Sequence, residues 1–296
     1  MNDINPSQPE PPTLIGVTGA SGHIGGLVAA ALSEVGLRQR LIVRKANRAP
    51  ALAGSEVAVA SYGDRESSMK ALSGIRTLLM VSGAEAIDRL GQHTAFIDAA
   101  AEAGVEHIVY TSFVGAAREA TFTLARDHFL TEERIKGTGM AFTILRDNFY
   151  LDFIPELVGE DGVIRGPAAH GRMAAVARAD VARVAATVLQ HPEEHGSTTY
   201  DLTGPEAFSM HDAAKVLSHS TGHHVKFHDE SIDEAYESRQ KWQPEQWQAD
   251  AWVSTYTAVA AGEMAEVSTA VRDITGQEPL SLDELIGGKG RGASWR

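Results

Sequence analysis

The chain has no cysteine, which removes disulfides, thiolate metal sites and thiol nucleophiles from consideration. It has no apolar run near the ~20 residues that a membrane-spanning helix needs, and its N-terminus lacks the basic-then-apolar pattern of a secretory signal. Positive charge is in short supply. Lys and Arg number 26 against 39 Asp and Glu, and the formal net charge of -13 opposes attraction to nucleic acid or anionic lipid. No Gly-x-Ser-x-Gly elbow supports a hydrolase. These absences lead to the expectation of a cytoplasmic protein that acts on a small molecule, without nucleic acid or membrane, a homodimer being allowed.

At 296 residues and 43% hydrophobic content, the chain can bury the core of one large α/β domain with a smaller appendage. Pro-rich residues 1–12 and Gly-rich, basic residues 287–296 are expected as flexible tails. Between them, Leu14-Ile15-Gly16-Val17-Thr18 runs into Gly19-Ala20-Ser21-Gly22-His23-Ile24-Gly25. Gly19 suits a tight turn, Gly22 lets backbone approach a pyrophosphate, and Gly25 lets helix pack on strand. A glycine triad also serves as a plain strand-to-helix turn. The strand-like Thr13 to Thr18 and helix-like Leu27 to Leu32 on either side favour a dinucleotide, held on the unpaired N–H groups of a helix N-terminus.

Apolar runs at Leu41 to Val43, Val57 to Ala60, Thr77 to Val81, His107 to Thr111 and Phe142 to Leu145 alternate with helical segments. Such alternation predicts a doubly wound parallel sheet, a Rossmann domain over 13–205, with ligands outside the carboxyl ends of the strands. A smaller C-terminal α/β substrate lobe is expected over 206–286, with 151–175 contributing. Within these, Ala179 to His191 reads as a helix capped near Asp180 or Ala179, and Thr198 to Leu202 as a strand. Ser209 to Ser220 reads as a helix ended by Gly222, and His223 to His228 as an alternating strand. His224 and His228 share a side of that strand but lack a third ligand, so no metal is expected. Trp242, Trp247, Trp252 and Tyr256 fall at helical spacings and are expected to serve core and lobe packing, in a small helical lobe covering the strand ends, rather than a cofactor box. The role of the Trp242 to Trp252 segment is open between lid and partner surface.

The second strand ends in Val43-Arg44-Lys45-Ala46-Asn47-Arg48, with cations where an NAD-preferring site carries a carboxylate. Arg44 offers a planar fork to an adenosine 2′-phosphate, which favours NADP(H). Asp64 is placed either to accept an adenine amino group or to cap a helix starting near Arg65.

These segments, together with Leu78 to Ser82, His107 to Ser112 and Leu145-Arg146-Asp147-Asn148-Phe149-Tyr150, resemble the NmrA-like atypical short-chain dehydrogenases. The similarity is strongest to the NADPH:quinone oxidoreductase 2 and triphenylmethane reductase branch. It runs from about Leu14 through Ile286 and is poor only in the tails and the Trp-containing region. The resemblance implies pyrophosphate contacts at Gly19, Ala20, Ser21, Gly22, His23 and Ile24, and a 2′-phosphate contact at Arg44. It also implies contacts at Ser82, Gly83 and Ala84, with Asn148 in the Asp147 to Asp152 segment and Arg178 closing the nicotinamide end.

Most short-chain dehydrogenases use Tyr-x-x-x-Lys, which this chain lacks after Ser112. His128 stands in the tyrosine place with Glu132 one turn later, as in the branch it resembles. Two readings stay open: a proton-donating pair with the carboxylate orienting the imidazole, or packing beside the cofactor. Thr111 or Ser112 is placed to hydrogen-bond an acceptor, Tyr150 is a further catalytic candidate, and Phe113, Phe149 and Tyr150 are candidates for an aromatic wall. The expected activity is NADPH-dependent hydride transfer to a quinone-like or other conjugated acceptor without flavin or metal, water serving as proton source. The alternative is an NADP(H)-sensing regulator with little chemistry. A sugar-nucleotide epimerase would lack a base.

Overall fold

The structure, a computed structural model, describes residues 14–288. Thr13, the tail expected over 1–12 and positions 289–296 of the other tail lie outside the described residues. A seven-stranded sheet in the order β3-β2-β1-β4-β5-β6-β9 forms the centre. Its strands are β1 (Ile15–Thr18), β2 (Gln39–Val43), β3 (Ser55–Val59), β4 (Thr77–Met80), β5 (His107–Phe113), β6 (Ala141–Asp147) and β9 (Thr198–Leu202). Every neighbouring pair is parallel. β1 and β4 are wholly buried, as continuous apolar strands covered on both faces must be.

Helices α1 (His23–Glu34) and α5 (Arg178–Gln190) cover one face. α2 (Arg65–Leu72), α3 (Arg89–Glu102) and α4 (Thr123–Lys136) lie on the other. On the first face Val17, Val28, Leu32, Leu41 and Leu79 are fully buried, each worth roughly 1.5–3 kcal/mol of transfer free energy. The chain order reverses between β1 and β4, which opens the crevice where such sheets take ligands.

A second core joins segments from both sides of the expected boundary. Leu151, Ile154, Ile164 and Met173 pack with Phe208, Leu217, Phe227 and Ala258. Here β7 (Val163–Gly166) pairs with β11 (Lys226–Asp229), and β8 (Arg172–Met173) with β10 (Phe208–Ser209). α6 (Met210–Thr221) starts at a Ser209–Asp212 capping box and stops at Gly222 in the left-handed conformation. α7 (Ile232–Arg239), α8 (Gln246–Ala260), α9 (Ala270–Thr275) and α10 (Leu282–Ile286) complete the chain.

Several expectations give way. α9 returns to the first core, where Val271 is buried against α5, so it leaves the contiguous lobe. The N-cap of α5 is Ala177; Asp180 is buried in the first turn, accepting the Leu280 N–H (2.7 Å) and pairing with Arg183 (2.9 Å). β11 begins only at Lys226, so His224 lies outside it and exposed, and does not share a strand face with His228. The tryptophans do not form a core: Trp242 is 60% exposed, and Trp247 and Trp252 are half-buried.

Gly25 is the tightest contact between α1 and the turn after β1, because a Cβ there would lie 2.4 Å from the Gly19 carbonyl oxygen. Gly25→Ala is expected to cost roughly 1–3 kcal/mol, as overpacking does. A lowered urea midpoint would show it; an unchanged midpoint would contradict the close packing.

Candidate active site

The turn after β1 is built for an anion. Gly19 has φ +63°, and the Gly22 N–H donates to its carbonyl (2.8 Å). Gly22 is the N-cap of α1 and contributes no side-chain cap, and the first turn holds no acid. Apart from the Gly19 carbonyl at 3.3 Å, a Cβ on Gly22 would enter open space. The helix therefore presents uncapped N–H groups and the positive end of its dipole to the crevice. Ser21, Gly22 and His23 are exposed around it, while Ala20 and Ile24 are buried beneath.

β2 runs beside β1 with Thr18 opposite Ile42, so Arg44 emerges level with the glycine turn. Arg44, Lys45 and Arg48 are exposed, and Arg44 has no ion pair to another described residue. Asp64 caps α2, accepting the Ser67 N–H (3.2 Å), the second of its two expected roles.

The loop after β4 is fixed from three sides. The Ser82 N–H donates to Thr111 Oγ1 (2.8 Å). Gly83 donates its N–H to His93 Nε2 (2.8 Å), and its carbonyl accepts from Arg89 Nε (2.9 Å). His93 and Arg89 are four apart on α3 and buried. His93 Nδ1 in turn donates to Thr131 Oγ1 (3.0 Å), whose hydroxyl donates to the Asp127 carbonyl (2.7 Å). Burial first, then the Arg89 charge, pushes the His93 pKa down to about 3, so the ring stays neutral and its Nε2 stays an acceptor. Below the loop, Tyr62 donates to the Val81 carbonyl (2.6 Å), and the Val81 N–H donates to Thr18 Oγ1 (2.9 Å), tying β4 to β1.

Of the two readings left open for His128 and Glu132, the pair is not made. Arg89 Nη2 donates to His128 Nε2 (3.0 Å), and His128 Nδ1 meets the Tyr110 hydroxyl (2.9 Å). Burial and the nearby cation hold His128 well below the usual imidazole range, so both ring nitrogens are engaged in a neutral ring. Glu132 is fully buried and faces the other way. It accepts from Ser112 Oγ (2.6 Å) and bidentately from Arg146 Nε (2.8 Å) and Nη2 (2.7 Å), bracing β5 to β6.

Thr111 and Ser112 are thus committed to Ser82 and Glu132, and both are buried, which corrects the expectation that either meets an acceptor. Asn148 is committed as well: its amide donates to the Met264 carbonyl (3.0 Å) and accepts the Phe149 N–H (2.7 Å). Tyr150 donates its hydroxyl to Asp147 Oδ2 (2.7 Å). The Arg178 guanidinium lies 5.3 Å from the Tyr150 ring centroid and 4.1 Å from that of Phe153, at the N-terminus of α5. Phe113 and Phe149 are half-buried at the ends of β5 and β6, packed against Phe122 and Phe153.

Arg89 and His93 escaped the sequence reading, which named Asp147 only as the start of the Asp147 to Asp152 segment; the i, i+4 spacing of Arg89 and His93 just after the Ser82-Gly83-Ala84 loop is the signal that could have found them. Among the described residues, the one cluster with metal-ligand geometry, His191, Glu193 and Glu194, is exposed beyond the far end of α5 from Arg178.

A family model described as the NmrA-like family matches residues 11–248. The chain belongs to the NmrA-like family. It is 34% identical over 222 residues to quinone oxidoreductase 2 of Escherichia coli strain K12, covering 72% of this chain and 77% of that protein. The Escherichia coli NADPH-dependent quinone oxidoreductase solved with NADPH superposes with a TM-score of 0.85 at 30% identity, over 93% of this chain and 99% of that one. Triphenylmethane reductase from Citrobacter gives 0.82 at 30% identity, over 94% and 98%. NmrA, a negative transcriptional regulator solved with NADP, shares the fold at a TM-score of 0.74 but only 14% identity, over 96% and 99%.

Asp147 generates a pH prediction. It is fully buried, Oδ1 has no partner, and burial pushes its pKa up to about 8 against the Tyr150 bond. The folded value lies above the unfolded one near ~4, so the native state keeps a proton that the unfolded state loses. Its contribution to stability is full below about pH 4 and falls by about 1.4 kcal/mol per pH unit up to about pH 8. Asp147→Asn is expected to remove that slope, so its stability relative to the parent rises across this window in urea titrations. Parallel pH profiles for the two proteins would contradict the buried neutral carboxyl.

Proposed function

We propose that this NAD(P)H-dependent oxidoreductase uses NADPH and passes hydride to a quinone-like or similarly conjugated acceptor, without flavin or metal. The observation that carries the reading is the uncapped, acid-free N-terminus of α1 beside the exposed, unpaired Arg44. Together they fit a pyrophosphate and an adenosine 2′-phosphate on one cofactor. The solved relatives named above, one with NADPH bound, support the same choice.

Gly19 to Ile24 would hold the pyrophosphate, Arg44 the 2′-phosphate, and the Ser82-Gly83-Ala84 backbone the middle of the cofactor. Bound NADPH supplies a hydride from its nicotinamide ring. Phe113, Phe149 and Tyr150 give the strand ends of β5 and β6 an apolar surface that favours a flat, electron-poor acceptor and excludes water. Arg178, over Tyr150 and Phe153, closes that end. His128 acts as a support for Arg89 and Tyr110, and the proton that completes reduction comes from water.

Purified protein is expected to oxidise NADPH faster than NADH with quinones and conjugated dyes. Arg44→Ala should weaken NADPH by roughly tenfold or more and NADH by less than about twofold, since only NADPH carries the 2′-phosphate. Tight NADPH binding with no turnover across the panel would overturn the reading in favour of a sensor. An equal loss for both cofactors would overturn the role of Arg44.

A further inference from the structure

The three described tryptophans sit within residues 242–252, in a chain that is only 6% aromatic. One of them reaches the cofactor side. The Trp252 indole N–H donates to Glu85 Oε2 at 3.4 Å, across 167 positions of sequence. Glu85 directly follows Ser82-Gly83-Ala84, the loop pinned by Thr111, His93 and Arg89. Trp242 stands edge-on to Trp252, with ring centroids 6.3 Å apart at 86°, and Lys241 Nζ lies 4.2 Å from the Trp242 ring centre.

The helix that carries Trp252 is anchored elsewhere. Ser254 Oγ accepts the Thr123 N–H (3.2 Å) at the start of α4, and the Tyr256 ring fills the space over Gly166. α8 therefore spans from the segment after β5, one of the two strand ends with the acceptor surface in the reading above, to the loop after β4 on the cofactor side. Trp242 is 60% exposed, so the indole pair leaves a large aromatic surface uncovered beside Glu85.

We propose that Trp242 and Trp252 form the acceptor-selecting wall of the site, with Glu85 orienting Trp252, and that the wall favours fused-ring conjugated acceptors over single-ring ones. This rests on the oxidoreductase reading and deepens it. A fused ring system covers more indole than a single ring, and offset or edge-on aromatic contacts add to the area it buries. Because Glu85 belongs to the cofactor loop, the wall is held in register with the cofactor's position.

Two measurements test it. In steady-state kinetics with NADPH, Trp252→Ala is expected to lower kcat/KM for 1,4-naphthoquinone relative to 1,4-benzoquinone by roughly fivefold or more, mainly through KM. Trp252→Phe should restore most of the preference, and Glu85→Ala should lose part of it. The NADPH dissociation constant should stay within about twofold in all three. An unchanged acceptor ratio in Trp252→Ala overturns the proposal.

The second readout needs no turnover. 1,4-Naphthoquinone is expected to quench the tryptophan fluorescence of the NADPH-free protein saturably, and Trp242→Phe and Trp252→Phe should each remove part of that quenching. Trp247→Phe, whose indole bonds Glu245 instead, should retain it. Equal quenching in all three variants overturns the wall. Saturable quenching at Trp242 and Trp252 without turnover keeps the wall and overturns the oxidoreductase reading.

Discussion

The cofactor side of the molecule depends on the capture of Gly83 by two buried side chains of α3. Arg89 takes its carbonyl and His93 its N–H, so the loop after β4 is fixed by residues that cannot move without unpacking the core. Burying a guanidinium costs several kcal/mol of desolvation unless its donors are met. Here Gly83 and His128 meet two of them, and Asp127 stands 3.9 Å from Nη1. Burial first, and the same cation second, suppress protonation of His93 and His128, which keeps each Nε2 an acceptor. A network of this kind is stable only when every member is in place.

That capture divides the site into a rigid half and an adaptable one. The glycine turn, β4 and β5 are joined through Thr18, Tyr62, Val81 and Thr111 to one hydrogen-bonded frame. The proposed acceptor end instead has rings held through packing, Phe113 on Phe122 and Arg178 over Phe153. In that reading, ring contacts select acceptors by the shape and area of their conjugated surface, because few directional bonds have to be met.

The sheet was legible because its signals are local. Apolar runs, the glycine turn and the Ser209–Gly222 helix each follow from neighbours in sequence, and no helix of the described residues is long and apolar enough to cross a membrane. The catalytic surroundings were not, because they depend on partners far away in the chain. Spacing put His128 and Glu132 on one helix face, yet that face touches two different strand ends. Arg89 arrives from α3 to claim the histidine, while Arg146 arrives from β6 to claim the glutamate. Asp147 enters the sequence reading only as the start of the Asp147 to Asp152 segment; its full burial, which raises its pKa against the Tyr150 bond, comes from the fold. The helical spacing of the tryptophans suggested core and lobe packing, whereas Trp242 is exposed and Trp252 reaches across the chain to Glu85.

Under the proposed reading, the loop after β4 holds the cofactor in one orientation and presents one nicotinamide face to the acceptor, so only one of the two C4 hydrogens transfers. The decisive measurement is the rate of acceptor reduction with each of the two C4-deuterated diastereomers of NADPH. A primary isotope effect with one diastereomer and none with the other is the predicted result. Equal primary effects from both would contradict direct hydride transfer from a cofactor held in one orientation.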